Sequence, residues 1–224
     1  MAKDHANWLV GVLPQHAEVT NLERLGPNLV RVDRKSAPPA IIGVISADQV
    51  RTADCEALLN GTPRPDLILN IPKAATWQGE VIDRLEAQGV AWGKMYDLYR
   101  ALNMEDDVSS YRNPSLSFIE RLFQQHRNVG YLERVSDQVY RLHRVTGGPV
   151  VVALTDAYEV TADTVRTAYG ALAPFDILLK NTPYGRVSSQ GWATAAELGI
   201  EICDQSSIFT RLRNDGEADH QSDR

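Results

Sequence analysis

Short apolar runs alternate with amphipathic segments along most of the chain, and this alternation constrains the fold more than any other feature. Residues 41–46 (IIGVIS) and 66–72 (DLILNIP) have the length and composition of buried strands. Residues 47–61 and 76–89 carry apolar side chains at helical spacing, and each segment ends at a glycine. Strands and helices that alternate in this way predict a largely parallel sheet, and therefore an α/β fold for residues 1–108.

Two further strands are predicted near the N-terminus. NWLVGVL (7–13) has the length of a strand, and NLVRVDR (28–34) alternates apolar and polar residues as a half-buried strand does. The mixed stretch between them indicates no regular element. The polar segment 104–113 predicts a boundary, after which residues 109–213 form a second α/β half.

The second half opens with a predicted helix at residues 114–127, in which Leu116, Ile119 and Phe123 share one stripe. A hairpin of two strands follows, at residues 129–135 and 137–144. The later elements are a strand at 147–155, a helix at 162–172, a strand at 175–181, a helix at 188–199 that is capped by Ser188, a strand at 200–204 and a last helix at 205–213. The tail, residues 214–224, is almost free of apolar residues and is predicted to be disordered. No internal repeat is expected.

Composition and charge argue against several classes of function. The net charge of −6 gives the whole chain no general attraction to nucleic acid, although a local basic face is compatible with it. The longest apolar runs are too short to span a bilayer, and the N-terminus lacks the pattern of a signal peptide. Cys55 and Cys203 lie far apart, which fits a reducing cytoplasm better than a disulfide scaffold. Glycine-rich phosphate loops and nucleophile motifs are absent from the sequence.

The order of predicted elements in residues 114–181 is helix, three strands, helix and strand. That order resembles the αβββαβ core of the restriction-endonuclease-like, or PD-(D/E)xK, superfamily. The closing segment, residues 181–202, is also similar to that of uncharacterised bacterial proteins grouped with this fold. The resemblance implies a nucleic-acid-associated protein with a nuclease-like core, acting in DNA repair or phage defence.

The resemblance also implies chemical roles for individual residues. In that superfamily an aspartate near the second strand and an acid on the third strand bind Mg²⁺, and a lysine two residues beyond the acid helps to activate water. Asp137 matches the first position, and Glu120 is an accessory acid on the preceding helix. The third strand reads PVVVALTD and has no acid-x-Lys, so its nearest substitutes are Asp156 and Lys180. The core is therefore expected to be degenerate, and a binding-only pseudoenzyme fits it as well as an active nuclease.

Three of these residues also have simpler structural explanations. Asp137 fits the turn of the hairpin, where aspartate bonds to its own backbone. Asp156 fits a loop that caps the following helix. Lys180 fits a strand end whose ammonium group extends to solvent.

Arginines are concentrated between residues 112 and 144, where six arginines stand against three acids. We define the arginine strip as Arg121, Arg127, Arg134, Arg141 and Arg144. With tyrosines interleaved, such a strip can follow a phosphate backbone and stack on bases, which predicts DNA binding. The alternatives are a solvated sheet edge whose charges prevent aggregation, and the wing of a winged-helix remnant.

Two loops at predicted strand ends are candidate phosphate sites. IPKAATWQG (71–79) carries Lys73, and NTPYGR (181–186) carries Arg186. Ordinary connecting loops explain both segments as well. Three functions thus stay open: a nucleic-acid-associated protein, a Rossmann-type module that binds a phosphorylated small ligand, and a structural subunit that binds a protein partner or its own copies.

Overall fold

The computed structural model describes residues 4–213, and the chain divides after Pro114 into two compact units. We call them unit 1 and unit 2. The boundary predicted from the sequence lies a few residues earlier, after residue 108. The tail that is predicted to be disordered, residues 214–224, lies outside the described residues.

Unit 1 is a mixed α/β unit built on a five-stranded sheet. Its elements are α1 (His5–Val12), a 3-10 turn (Leu13–Gln15), β1 (Val19–Gly26), β2 (Leu29–Arg34), β3 (Ala40–Ile45), β4 (Gln49–Val50), α2 (Thr52–Leu59), β5 (Leu67–Asn70), β6 (Thr76–Trp77), α3 (Gly79–Ala87), β7 (Ala91–Gly93), α4 (Met95–Met104) and a second 3-10 turn (Val108–Ser110). The sheet order is β1-β2-β3-β5-β7. The first three strands pair antiparallel, and β3, β5 and β7 pair parallel. β4 and β6 form a separate parallel pair.

Two predictions for unit 1 are wrong. NWLVGVL lies in helix α1 and not in a strand, because the Asp4 side chain accepts a hydrogen bond from Asn7 N (3.0 Å) and starts a helix that buries Ala6 and Leu9. A short apolar run fits a buried helix as well as a strand. The sheet is mixed rather than largely parallel, because β1 forms an antiparallel hairpin with β2. The side chains of β1 are half-buried or exposed, so its sequence lacks a clear strand pattern.

Unit 2 is also a mixed α/β unit on a five-stranded sheet. Its elements are α5 (Pro114–Gln124), β8 (Val129–Arg134), β9 (Val139–Arg144), β10 (Val150–Thr155), β11 (Glu159–Val160), α6 (Ala162–Leu172), β12 (Ile177–Lys180), β13 (Arg186–Val187), α7 (Ser189–Glu197), β14 (Glu201–Asp204) and α8 (Ser207–Arg213). The helices and strands predicted for this half are present, and the Ser188 hydroxyl caps α7 by accepting from Gly191 N (3.0 Å). The structure adds β11 and β13, which pair in parallel.

The two units repeat one fold at a spacing of 110 residues. The order of helices and strands from α1 to α4 is the order from α5 to α8, and the sheet order β8-β9-β10-β12-β14 matches that of unit 1. The strand register repeats as well: Glu23 pairs with Arg31 in unit 1, and Glu133 pairs with Arg141 in unit 2. The chain therefore contains an internal structural repeat, and the expectation of no repeat is wrong.

Equivalent side chains repeat the same bonds. The Asp66 carboxylate accepts from Ile41 N at 2.7 Å, and the Asp176 carboxylate accepts from Val151 N at 2.7 Å. Identical residues recur at this spacing where the fold demands them: Val19 and Val129, Leu22 and Leu132, Glu23 and Glu133, Arg24 and Arg134, Arg31 and Arg141, Arg34 and Arg144, Asp66 and Asp176, and Gly89 and Gly199. Because these identities are scattered, the repeat is hard to detect in the sequence alone.

Each sheet is buried on both faces by helices of its own unit. Leu67 and Leu69 pack into one apolar cluster of unit 1, and Ile68, between them, packs into another. In unit 2, Ile177 and Leu179 pack into one apolar cluster, and Leu178 packs into another. Within the described residues, no helix has the length and apolar character that crossing a membrane requires.

Candidate ligand-binding site

The carboxyl ends of the parallel strands in unit 2 bring three predicted site residues to one sheet edge. Thr155 at the end of β10 pairs with Lys180 at the end of β12, and Lys180 pairs with Asp204 at the end of β14. Asp156 follows directly. Because β9 runs antiparallel to β10, the turn that contains Asp137 also lies at this edge. Edges of this kind are where open α/β sheets bind ligands.

Asp137 is buried in the turn between β8 and β9. Its neighbours form the turn: Ser136 N donates to Val139 O (3.0 Å), and Gln138 N donates to Ser136 Oγ (3.2 Å). This placement fits the turn explanation, and the metal-ligand role of Asp137 stays a prediction. Asp156 does not cap α6, since the Thr161 side chain does so. Asp156 Oδ1 instead accepts from Asn181 Nδ2 at 3.0 Å.

Lys180 and Glu120 hold parts of the fold together. Lys180 is buried rather than extended to solvent, and its ammonium group donates to the carbonyls of Thr182 (2.6 Å) and Tyr184, so it fixes the loop that follows β12. Glu120 on α5 accepts from Arg134 Nη2 (2.6 Å) and from the Tyr140 hydroxyl (3.0 Å). Burial raises the pKa of Tyr140 well above its ordinary value, and the neighbouring Glu120 charge adds to this.

The donor set fits a Mg²⁺ ion only in part. Mg²⁺ is commonly held by one or two carboxylates together with waters, and Asp137 and Asp156 share a sheet edge. The accessory groups are committed elsewhere, because Glu120 pairs with Arg134 and Lys180 bonds to loop carbonyls. Among residues 4–213, the structure groups no three His, Cys, Asp or Glu side chains in a way that could hold a metal.

Two of the five arginines in the arginine strip form ion pairs within unit 2. Arg134 pairs with Glu120, and Arg141 pairs with Glu133 at 2.9 Å. Arg144 Nε donates to the carbonyl of Gly148 at 2.7 Å, as Arg34 does to Pro38 in unit 1. Arg121 and Arg127, the remaining members of the strip, are exposed. The ion pairs of Arg134 and Arg141 reduce the charge that the strip offers to a phosphate backbone, and its role in DNA binding stays a prediction.

The two predicted phosphate loops occupy equivalent positions in the repeat but differ in what surrounds them. Lys73 is exposed in the loop after β5, where Asn70 closes the strand end by bonding to both backbone groups of Ala47 (3.0 and 2.9 Å). Arg186 is the first residue of the short strand β13, directly after the loop that follows β12, and it lines a cleft of about 440 Å³. A cleft of this volume is within the range of small-molecule sites.

The cleft lies between the loop 181–187, helix α7 and the turn after β14. Its lining combines apolar and polar side chains: Lys180, Thr182, Pro183, Arg186, Val187, Trp192, Ile202, Cys203, Asp204, Gln205, Ser206 and Ser207, together with Gly185. Trp192 is half-exposed, at 50%. Arg186 has 82% of its side chain exposed and is held through Nε by Glu159 Oε1 at 3.1 Å. An exposed indole and an oriented guanidinium thus share one concave surface.

Glycine shapes the wall of the cleft that carries Arg186. Gly185 has a positive φ of 79°, and a Cβ atom at this position would lie 1.7 Å from the carbonyl oxygen of Tyr158. Only glycine allows the loop after β12 to approach the loop after β10 this closely. The bonds of Lys180 to Thr182 and Tyr184 fix the same loop from the sheet side.

Trp192 is the residue of this site that the sequence prediction missed. Its helix buries the small residues Gly191, Thr194 and Ala195, so the indole lies off the buried face. A tryptophan off the apolar face of a predicted helix is the signal that could have identified it.

Comparison with known proteins gives no relative. No protein-family model, no curated protein and no solved structure matches the chain.

Proposed function

We propose that the protein binds a phosphorylated small molecule that carries a flat ring, in the cleft at the carboxyl edge of unit 2. The observation that carries this proposal is the shared lining of one 440 Å³ cleft by half-exposed Trp192 and by the Arg186 guanidinium. An indole face supplies a stacking platform for a ring, and guanidinium N–H groups suit phosphate oxygens. Together they match the two ends of a nucleotide.

The geometry of Arg186 supports an anion-binding role. Glu159 engages only Nε of this arginine among the described contacts, so the two terminal nitrogens are available to a ligand. Two parallel N–H donors fit a phosphate better than a single point charge does. Lys180 and the close contact at Gly185 hold the loop in place, so the loop is expected to lose little conformational entropy when a ligand binds.

We propose binding without catalysis for this cleft. The β10 strand places Val151, Val152 and Ala153 where the superfamily pattern has an acid. Lys180 is the nearest substitute for the lysine of the superfamily pattern. Its ammonium group donates to two loop carbonyls, so we assign it a structural role rather than the activation of water.

Calorimetric titration of the full chain with AMP and with inorganic phosphate tests the proposal. We expect AMP to bind with a dissociation constant in the micromolar range, phosphate to bind more weakly, and Arg186→Gln to weaken AMP about tenfold or more. Arg166→Gln is the matched control, because Arg166 is also exposed and paired with an acid, at 3.4 Å, outside the cleft. Equal binding by both variants, or no binding of AMP, would overturn the proposal.

The same chemistry is also present at the end of a nucleic-acid strand. Short single-stranded oligonucleotides with and without a 5′-phosphate, added in separate titrations, distinguish a free nucleotide from a strand end. Binding of a strand end falls steeply with salt if further phosphates are contacted.

A nuclease-like nucleic-acid-binding protein is the second candidate function. The candidate is motivated by the order helix, three antiparallel strands, helix and parallel strand in unit 2, which is the order on which the resemblance rests. Cleavage of labelled DNA and RNA with Mg²⁺ or Mn²⁺ tests it, with Asp137→Asn as the variant that keeps the shape of the turn. Cleavage that is lost in this variant would establish Asp137 as a metal ligand. Cleavage that persists would remove Asp137 from the chemistry.

A further inference from the structure

The turn after β14 forms a second part of the cleft lining. In this turn Asp204 Oδ1 accepts four hydrogen bonds, from Ser206 N (3.0 Å), Ser206 Oγ (2.7 Å), Ser207 N (2.8 Å) and Ser207 Oγ (2.9 Å). These bonds hold the pKa of Asp204 at about 2, well below its ordinary value, so the carboxylate is charged at neutral pH. Both serine hydroxyl hydrogens are therefore committed to Asp204.

The committed hydroxyls change what this turn offers to a ligand. A hydroxyl whose hydrogen points to a carboxylate has only lone pairs left for other partners. The backbone N–H groups of Ser206 and Ser207 are also used by Asp204, so they are not available to a phosphate. Ser207 Oγ also accepts from Asp204 N at 2.9 Å, so Ser206 Oγ is the serine hydroxyl of this turn that is left as an acceptor for a ligand.

Gln205 supplies a second acceptor, and we call Gln205 Oε1 and Ser206 Oγ the acceptor wall. Its Nε2 donates to the carbonyl oxygen of Asn181 at 2.9 Å, and because a carbonyl only accepts, this bond fixes the orientation of the amide. Within the described residues Gln205 Oε1 has no hydrogen-bond partner, and the side chain lines the cleft. The cleft lining therefore combines the Arg186 guanidinium, a cationic donor, with the acceptor oxygens of Gln205 and Ser206.

We infer that the ligand of this cleft carries N–H donors on the edge of its ring, as the amino-bearing bases adenine and cytosine do. This inference rests on the proposed function, because it requires one molecule to carry both the ring that stacks on Trp192 and the phosphate that Arg186 binds. The ring edge faces Gln205 Oε1 and Ser206 Oγ, whose lone pairs receive the amino group. A ring without that donor forgoes these hydrogen bonds.

The test compares AMP with purine riboside 5′-monophosphate, which differs from AMP by the loss of the exocyclic amino group. We expect wild-type full-length protein to bind AMP about five to ten times more tightly, the factor expected for one neutral hydrogen bond. Gln205→Leu and Ser206→Ala each remove one acceptor and are expected to reduce this preference. Gln190→Leu, at an exposed position of α7 outside the cleft, is the matched control and is expected to retain it.

The outcomes separate the two proposals. Equal affinity for the two nucleotides, with Arg186→Gln still weakening both, overturns the acceptor wall and leaves the proposed function standing. Absence of binding by either nucleotide overturns the proposed function, and the inference falls with it. Ser206→Ala leaves the bond between Gln205 and Asn181 in place, so it reports on the wall even if Gln205→Leu disturbs the fold.

Discussion

Helices α3 and α7 occupy equivalent places in the two units, yet they face their sheets with side chains of different size. Helix α3 buries Val81, Ile82 and Leu85, whereas α7 buries Gly191, Thr194 and Ala195. The position of Ile82 in unit 1, fully buried, is the position of half-exposed Trp192 in unit 2. One fold thus uses the same helix position to fill a core in one unit and to line a cleft in the other.

The close approach of α7 explains the exposure of Trp192. A Cβ atom on Gly191 would lie 2.5 Å from the carbonyl oxygen of Val160, so the small residues let the helix pack directly against β11. No space for an indole exists beneath a helix held this close. The tryptophan is left half-exposed, and it lines the same cleft as Arg186 and the turn after β14.

The hairpins of the two units differ in a related way. Val10 and Val30 of unit 1 stand where unit 2 has Glu120 and Tyr140. In unit 2 these two polar residues bond to each other, and Glu120 also pairs with Arg134 in a mostly buried site. An apolar core tolerates the exchange of one apolar side chain for another, whereas the loss of one partner from a buried polar cluster leaves the others with fewer hydrogen bonds.

The largest effect on stability is expected from the pair of equivalent helix residues. Ile82→Ala removes a fully buried side chain and is expected to lower the free energy of unfolding by about 2–5 kcal/mol. Trp192→Ala removes a half-exposed side chain and is expected to cost about 1 kcal/mol while abolishing AMP binding. Urea unfolding, with amide hydrogen exchange to report on each unit, measures both. A larger cost for Trp192→Ala than for Ile82→Ala would break the comparison.

The next largest effect is expected at the buried polar cluster. Glu120→Ala removes the carboxylate that accepts from both Arg134 and Tyr140, and it is expected to destabilise unit 2 by about 2–3 kcal/mol, because the side chains of the ion pair are only 12% and 19% exposed. Glu133→Ala is the control, since its pair with Arg141 is about 40% exposed on each side and is worth about 0.5 kcal/mol. Similar costs for the two variants in denaturant unfolding would contradict the structural role of Glu120.

Glycine substitutions test the repeat and the cleft together. Gly89 and Gly199 have φ values of 67° and 69° with open space around each, so alanine is expected to cost about 1 kcal/mol at both positions. At Gly185 the same substitution also forces a backbone clash, so we expect about 2 kcal/mol or more together with loss of the cleft. Thermal unfolding ranks the three variants. Unequal costs at Gly89 and Gly199 would show that the repeat does not extend to these turns.

The smallest effect concerns the turn that precedes α8. Asp204→Ala removes a carboxylate that accepts from two backbone N–H groups and is expected to cost about 1 kcal/mol at neutral pH. The pKa of Asp204 is lowered to about 2, so this contribution is full above about pH 4 and is lost as the pH falls through about 2. Urea unfolding of wild type and variant between pH 2 and pH 7 measures it. A difference that does not shrink at low pH would assign the effect to packing instead.

Much of the secondary structure follows from the sequence, and the exceptions have physical causes. Strands buried on both faces, such as β3 and β10, are apolar throughout and are easily recognised. The edge strand β1 is hard to recognise because few of its side chains are buried. The repeat is obscured because most equivalent positions, such as Ile82 and Trp192, have exchanged residues of different size and polarity.

The site was predictable only in its backbone position. Arg186 is identified by its place after a strand and before a helix, a pattern that open α/β sheets share. Lys180 and Glu120 are occupied by hydrogen bonds within the fold. These bonds depend on the folded backbone and on its tertiary contacts, which a local sequence pattern does not reveal. The acceptor character of Ser206 and Ser207 likewise depends on where the Asp204 carboxylate lies.

The most direct test is a titration of ¹⁵N-labelled protein with AMP, observed through the indole N–H resonances of its four tryptophans. Trp77 and Trp92 belong to unit 1 and act as internal controls for Trp192. We predict that the Trp192 resonance shifts in a saturable manner and that those of Trp77 and Trp92 do not. A shift at the unit 1 tryptophans with Trp192 unchanged would contradict the assignment of the ligand site to unit 2.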